Sequence, residues 1–231
     1  MTAYREAALE LLPKGHSFNA CLACGLCSQA CPASGMEGMD PRKFVRMAML
    51  GMDEVLDETP WVWLCTQCRR CTHVCPMHID IPQLVYLSRK NRQNEKKPSG
   101  IIKSCKVALE NPGNSAMGAR SEDLIEVVNE VAEEVREEFP QLEGMETPFD
   151  RKGAHFFLNQ NSREPVTEPE EMAPLWKILH TVGADWTYGS KGWAAENYCL
   201  FAADEEGWKT IVENKAKTID DLGCKVWLNT E

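Results

Sequence analysis

Eight of the eleven cysteines fall in two runs of identical spacing. The first is Cys21-x2-Cys24-x2-Cys27-x3-Cys31-Pro32, and the second is Cys65-x2-Cys68-x2-Cys71-x3-Cys75-Pro76. Three closely spaced thiolates let a tight loop wrap one corner of an iron–sulfur cubane, each thiolate taking one iron. The fourth iron needs a ligand from elsewhere, and in this motif the fourth cysteine serves the other cluster. The expected ligand sets are therefore Cys21, Cys24, Cys27 and Cys75 for one 4Fe–4S cluster, and Cys65, Cys68, Cys71 and Cys31 for the other. Zinc sites pair two cysteines with two distant ligands and do not call for this spacing. Pro32 and Pro76 turn the chain after the fourth ligand and remove a backbone donor. Gly25 serves either a close approach to the cluster or a tight turn.

The two copies start 44 residues apart, and the repeat extends past the cysteines. Asp40-Pro41 opens an apolar stretch to Leu50, and Asp80-Ile81-Pro82 opens another to Leu87. An acid before an early proline is a good helix start. The spacer between the motifs is long enough for two helices. The motif is that of bacterial two-cluster ferredoxins, but the spacing predicts an α-helical domain rather than a compact β-rich one. Arg69 and Arg70 lie inside the second motif, where the first has Gly25 and Leu26. Cations near a cluster raise its reduction potential, so the second motif's cluster is expected to have the higher one, unless these arginines simply face solvent. His73 and His78 are not needed as ligands, because eight thiolates are present. Trp61-Val62-Trp63-Leu64 leads into Cys65 and is expected to pack and exclude water.

Further along, Ile101–Leu109 reads as a helix, broken by Asn111-Pro112-Gly113-Asn114. Ser121 is expected to cap a helix to about Phe139, with Leu124, Val127, Val128, Val131 and Val135 at helical spacing. Strand signals then alternate with helix signals: a strand at His155–Leu158, a loop at Pro165–Pro169, a helix at Met172–Thr181, and a short strand at Asp185–Tyr188. A helix at Glu205–Leu222 and a strand at Lys225–Leu228 follow. Alternation of this kind implies a small parallel α/β layer. Cys105, Cys199 and Cys224 carry no pairing motif and are expected as buried free thiols. No nucleophile signature, dinucleotide-binding glycine motif or phosphate loop is present, and no catalytic residue is identified.

The chain has 231 residues and a net charge of −10. An acidic protein is a poor ligand for nucleic acid phosphates. No apolar run approaches the ~20 residues of a membrane span, and the start, residues 1–12, lacks an apolar signal core. Charge is uneven: seven basic residues and one acid lie between Tyr86 and Lys106, nine acids and one base between Ser121 and Glu143. These read either as two solvated helix faces or as a basic docking patch, Arg89 to Lys106, beside an acidic one.

Cys21 to Pro32 and Trp63 to Pro76, each followed by a proline-capped helix, resemble the ferredoxin domain of heterodisulfide-reductase C/D-type proteins. That domain is also found in iron–sulfur subunits of glycolate and glycerol-3-phosphate oxidising enzymes. Asn111–Asn114, Glu168–Thr187, Ala195–Tyr198 and Leu222–Lys225 look like the DsrK branch, the HdrD-like subunit of a membrane-bound complex associated with sulfite reduction. The resemblance implies an α-helical two-cluster ferredoxin domain over residues 1–110, an acidic helix and linker over 111–153, and a small α/β segment over 154–231 that begins a CCG-type domain. It further implies an electron-transfer subunit of a redox complex in dissimilatory sulfur metabolism. The subunit would be cytoplasmic and held at the inner membrane through its partners. The implied partners are a membrane cytochrome b-type subunit on the quinone side and a small DsrC-like sulfur-carrier protein bearing a disulfide or trisulfide. In the family, the strand matching Val226–Leu228 leads into cysteine-rich segments that bind a further catalytic iron–sulfur cluster. Those segments do not occur in this sequence, so that cluster belongs here only if the chain continues past Glu231. The rival expectations are a non-catalytic HdrC-like carrier, an iron–sulfur subunit of a flavin-dependent dehydrogenase, and a cluster-based oxygen sensor.

Overall fold

The computed structural model describes residues 5–6, 9–10 and 18–230. Most of residues 1–12, where no leader is expected, lies outside them. The chain divides into two compact units, residues 1–97 and 98–231.

The first unit is helical, with no strand among its described residues. Its helices are α1 (Leu26–Ala30), α2 (Pro41–Met49), α3 (Asp53–Glu58), α4 (Arg70–His73) and α5 (Ile81–Lys90), with a 3-10 turn at Pro60–Leu64. α2 and α5 start as the sequence predicts. Asp40 accepts the Lys43 N–H at 3.1 Å, and Asp80 accepts the Gln83 N–H at 3.3 Å. Each aspartate also reaches back to its own cysteine motif. Ser28 Oγ donates to Asp40 at 2.5 Å, and Thr72 Oγ1 to Asp80 at 3.4 Å. One carboxylate therefore ties a ligand loop to the helix that follows it. Burial pushes the Asp40 carboxyl up, but the bonds from Ser28, the Lys43 N–H and Arg42 together hold it below the usual carboxylate range. Loss of such a cap costs about 1 kcal/mol. Asp40→Ala is expected to destabilise the unit by that amount, read as a lower denaturant midpoint at unchanged slope. The core joins Phe44, Val45 and Ala48 of α2 to Leu84 and Val85 of α5, with Leu56 and Val62 between. Phe44 meets Trp61 edge-on at 5.1 Å.

The second unit holds α6 (Ser99–Glu110), α7 (Ser121–Glu138), β1 (Phe156–Asn161), α8 (Glu164–Thr167), α9 (Ala173–Thr181), β2 (Trp186–Tyr188), β3 (Ala194–Ala195), α10 (Tyr198–Phe201), α11 (Glu205–Leu222) and β4 (Val226–Asn229). The sheet is parallel throughout, with β1 pairing with β2, β3 and β4. A helical region followed by a small parallel sheet region is the architecture. The apolar stripe of α7, at Leu124, Val128, Val131 and Val135, packs with Leu158, Trp176 and Tyr188. A separate cluster joins Cys105 and Ala108 of α6, Cys199 of α10 and Ile211 of α11 with Ala116 and Ala202.

The structure corrects four local readings. Ser121 is the first residue of α7, not its cap. Its hydroxyl donates to the Ser190 carbonyl, and Asp123 reaches back to the Arg120 N–H at 3.0 Å. Pro165–Pro169 is not open loop: α8 ends at Thr167 and a 3-10 turn covers Pro169–Met172, since proline suits a first helical turn. β1 runs on through Asn159, a residue type depleted in strands, and the polar Gln160, because their side chains find partners. Asn159 Nδ2 donates to the Gly192 carbonyl at 2.7 Å, and Gln160 accepts the Tyr188 hydroxyl at 2.5 Å. Finally, Cys105 and Cys199 are not separate free thiols; their sulfurs are in bonding contact.

The Asn111–Asn114 stretch does more than end α6. The Pro112 carbonyl accepts from Gly192 at 2.9 Å and the Gly113 carbonyl from Ala194 at 3.0 Å, so it lies beside β3. A Cβ on Gly113 would overlap the indole nitrogen of the buried Trp193. Gly113→Ala is expected to destabilise this unit by roughly 2 kcal/mol through overpacking, seen as earlier loss of near-ultraviolet circular dichroism on heating.

Candidate metal centre

Two cavities in the first unit collect the eight cysteines. One is lined by Cys21, Cys24, Cys27 and Cys75, the other by Cys65, Cys68, Cys71 and Cys31. In each, three thiols come from one motif and the fourth from the other copy. The remaining lining is mostly apolar. Leu22, Leu26, Val45, Met77 and Ile79 surround the first set, and Met39, Trp61, Leu64 and Val85 the second. Among the described residues, no carboxylate or imidazole lines either cavity. Four soft sulfur donors in an apolar wall suit an iron–sulfur cubane. His73 and His78 line neither cavity.

The loops that present these thiols repeat in backbone conformation as well as in sequence. Ala23 and Gln67 are left-handed, with φ of 53° and 56°, and Gly25 and Arg69 are left-handed at 84° and 63°. At Gly25 the reason for glycine is this conformation rather than crowding, since a Cβ would meet nothing closer than Arg42 at 3.5 Å. Arg69 holds the same conformation with a side chain, at a cost of about 1 kcal/mol. It is anchored there by an ion pair with Asp80 at 2.6 Å. Arg69 and Arg70 both line the second cavity; among the residues lining the first, the cation is Arg42. Arg69→Ala and Arg70→Ala are each expected to lower the midpoint potential of the Cys65-containing centre. Potentiometric EPR checks this, and unmoved midpoints in both variants would sink it.

A further pair of cations was not legible in the sequence. Arg89 is fully buried, and Arg92 is 8% exposed. Arg89 donates to the Val62 carbonyl at 3.1 and 2.6 Å and to the Cys65 carbonyl at 2.5 Å. Arg92 donates to the carbonyls of Leu56 and Thr59 at 3.0 and 2.6 Å. Both guanidinium groups lie by the Trp63 ring, at 5.2 and 5.9 Å from its centroid. They clamp the 3-10 turn that delivers Cys65. Burial lowers the Arg89 pKa to about 10, partly offset by the adjacent Cys65. The expected basic docking patch thus loses two of its charges to the interior, and Lys96 pairs with Glu58 at 3.4 Å. The acidic stretch is the solvated face of α7.

Burial, together with the neighbouring Cys65 charge, pushes the Cys71 thiol up to about 12. Burial likewise raises Cys27 and Cys65. Thiols raised above the ordinary value stay protonated near neutrality until iron binds, so cluster insertion displaces protons. Reconstitution of the metal-free chain in weak buffer at pH 7 is expected to release protons in step with growing cluster absorbance.

Comparison with known proteins bears on the same region. Residues 17–79 match the 4Fe–4S dicluster domain family. The chain carries two 4Fe–4S clusters. The dicluster region is homologous to the C-type iron–sulfur subunits of heterodisulfide reductases. It is 36% identical over 69 residues to the second C-type iron–sulfur subunit of the CoB–CoM heterodisulfide reductase of Methanocaldococcus jannaschii, covering 30% of this chain and 37% of that one. It is 31% identical over 88 residues to the C-type subunit of the H2:CoB–CoM heterodisulfide,ferredoxin reductase of Methanothermobacter marburgensis, covering 38% and 45%. A third relative is the C-type subunit of the ferredoxin/F420H2-dependent CoB–CoM heterodisulfide reductase of Methanosarcina acetivorans, 33% identical over 86 residues, covering 37% and 53%. The chain thus spans about half or less of the length of these curated relatives. No solved structure matches it at a significant level. Among the described residues, no helix is long and apolar enough to cross a membrane.

Proposed function

We propose that this chain is an HdrC-like iron–sulfur electron-transfer subunit, passing single electrons between partner proteins of a redox complex. The observation that carries it is the sorting of the eight cysteines into two four-thiol cavities within one helical unit. In this reading Cys21, Cys24, Cys27 and Cys75 hold one cluster and Cys65, Cys68, Cys71 and Cys31 the other. The clusters supply one-electron redox chemistry. The protein's own residues position the thiols, keep water from the sulfurs through Trp61, Leu64, Val45 and Ile79, and set local charge through Arg69 and Arg70. The similar archaeal proteins are named as subunits of enzymes acting on the CoB–CoM heterodisulfide, which supports a place beside a disulfide-reducing partner.

The finer assignment also belongs to this proposal. In it, residues 1–110 form the ferredoxin domain, 111–153 an acidic helix and linker, and 154–231 the start of a CCG-type domain of the DsrK branch. The partners are then a cytochrome b-type subunit and a DsrC-like sulfur carrier. This version rests on the sequence resemblance alone, and the HdrC-like version is the better supported. The test is anaerobic affinity purification of the intact protein with its bound partners, followed by stopped-flow reduction. A co-purifying disulfide-reducing subunit that takes electrons from the reduced clusters is expected. A co-purifying flavoprotein dehydrogenase instead would move the chain to the flavin-linked class, and clusters that exchange electrons with no partner would overturn the proposal.

A further inference from the structure

The second unit holds a sulfur pair that the electron-relay reading does not use. Cys105 lies on α6 and Cys199 on α10, 94 positions apart in sequence. Both are buried, at 4% and 0% exposure. Their Cα atoms are 5.0 Å apart, inside the range that a disulfide spans without backbone movement. Asp204, which caps α11 by accepting the Gly207 N–H at 3.0 Å, brings a carboxylate oxygen within 4.0 Å of Cys105 Sγ. The Cys105 carbonyl lies 3.9 Å from Cys199 Sγ.

These two acceptors give a reduced form of the pair somewhere to place its protons. A buried disulfide has no S–H to satisfy. A buried dithiol has two weak donors, and here each already faces an oxygen: Asp204 for Cys105, the Cys105 carbonyl for Cys199. On reduction the sulfurs must move apart from bonding contact, and an oxygen lies beside each to receive its S–H. Space is reserved as well. A Cβ on Gly207 would lie 2.5 Å from the Asp204 carboxylate and 3.2 Å from Cys199 Sγ.

We propose that Cys105 and Cys199 form a reversible dithiol–disulfide couple that fastens α6 to α10 when oxidised and releases them when reduced, exchanging with a small dithiol that enters as the two helices part. In the reductive direction the partner's two thiols become its disulfide and the Cys105–Cys199 bond breaks. Two electrons pass to the pair, and each sulfur takes up one proton. Oxidation by a disulfide partner is the reverse. A disulfide closing so long a loop restricts the unfolded chain, so the oxidised form is the more heat-resistant.

The intact, cluster-loaded protein is equilibrated anaerobically in dithiothreitol mixtures of graded potential, quenched in acid, alkylated under denaturing conditions and mapped by peptide mass spectrometry. Cys105 and Cys199 are expected to become alkylated together along one two-electron curve, with Cys224 alkylated at every poise. The unfolding midpoint of the second unit is expected to fall on reduction, and a Cys105→Ser/Cys199→Ser variant is expected to lose that response. Three results would overturn the proposal. One is a pair reduced only after unfolding, which is a static cystine. The second is two thiols free at every poise. The third is alkylation accompanied by stoichiometric zinc release, since the two sulfurs and an Asp204 oxygen lie within 4.8 Å of one another as metal ligands would. If the double variant does not fold, the wild-type alkylation curve decides alone.

Discussion

Cys31→Ser is expected to abolish the cluster whose other thiols are Cys65, Cys68 and Cys71, and to spare the one held by the cysteines of its own motif. Cys75→Ser is expected to do the reverse. The basis is the lining of the two cavities, each combining three thiols of one motif with the last of the other. A serine at the fourth position leaves one iron without its thiolate, and a cubane anchored by only three thiolates is not retained and breaks down to free iron and sulfide. Iron and sulfide analysis should show each variant retaining one cluster of two, and EPR should show which one by its midpoint potential. Loss of the Cys21-containing centre from Cys31→Ser would mean that each motif closes its own cluster. Because metal binding contributes folding free energy in small cluster domains, both variants should also unfold at lower denaturant.

Arg89→Ala is expected to destabilise the first unit by about 3 kcal/mol. The substitution removes a buried guanidinium and leaves the carbonyls of Val62 and Cys65 without their donors. A buried acceptor stripped of a charged partner costs about 1–3 kcal/mol, and the guanidinium also lies over the Trp63 ring, 5.2 Å from its centroid. Arg89→Lys should not restore the loss, because one ammonium cannot reproduce the forked contact to two carbonyls. The measurement is the denaturant midpoint at which cluster absorbance disappears. A midpoint shift confined to Arg89→Ala, with Lys behaving as wild type, would reduce the role of this residue to bulk charge.

The cysteine spacing made the chemistry of the first unit legible, because a ligand set is a sequence-local code. The helix starts at Asp40 and Asp80 were legible for the same reason: a cap acts over three residues. Arg89 and Arg92 were not. A basic residue at the end of an amphipathic helix looks like a surface charge, and the carbonyls that bury these two lie 24 to 36 residues upstream. The Cys105–Cys199 contact escaped for a similar reason, its members being far apart in sequence and without a motif. Strand β3 is two alanines, too short and too plain to give a periodic signal, and it exists because Gln160 and Asn161 pair with it. The end of β1 was not legible because the apolar run stops at Leu158, and the polar Asn159 and Gln160 belong to the strand only through their side-chain partners.

The interleaving of the motifs also has a consequence in time. The chain leaves the ribosome from its amino end, so Cys21, Cys24 and Cys27 emerge together, while the fourth thiol of their cavity, Cys75, comes 44 residues after Cys31. At roughly 5–20 residues per second, three thiols of the first set stand open for several seconds before their partner exists. On the proposed ligand sets, neither centre can be completed before the second motif is made, and Cys71 and Cys75 then complete the two almost together. A cell short of iron or rich in oxygen during that interval would therefore accumulate chains lacking both clusters rather than chains lacking one.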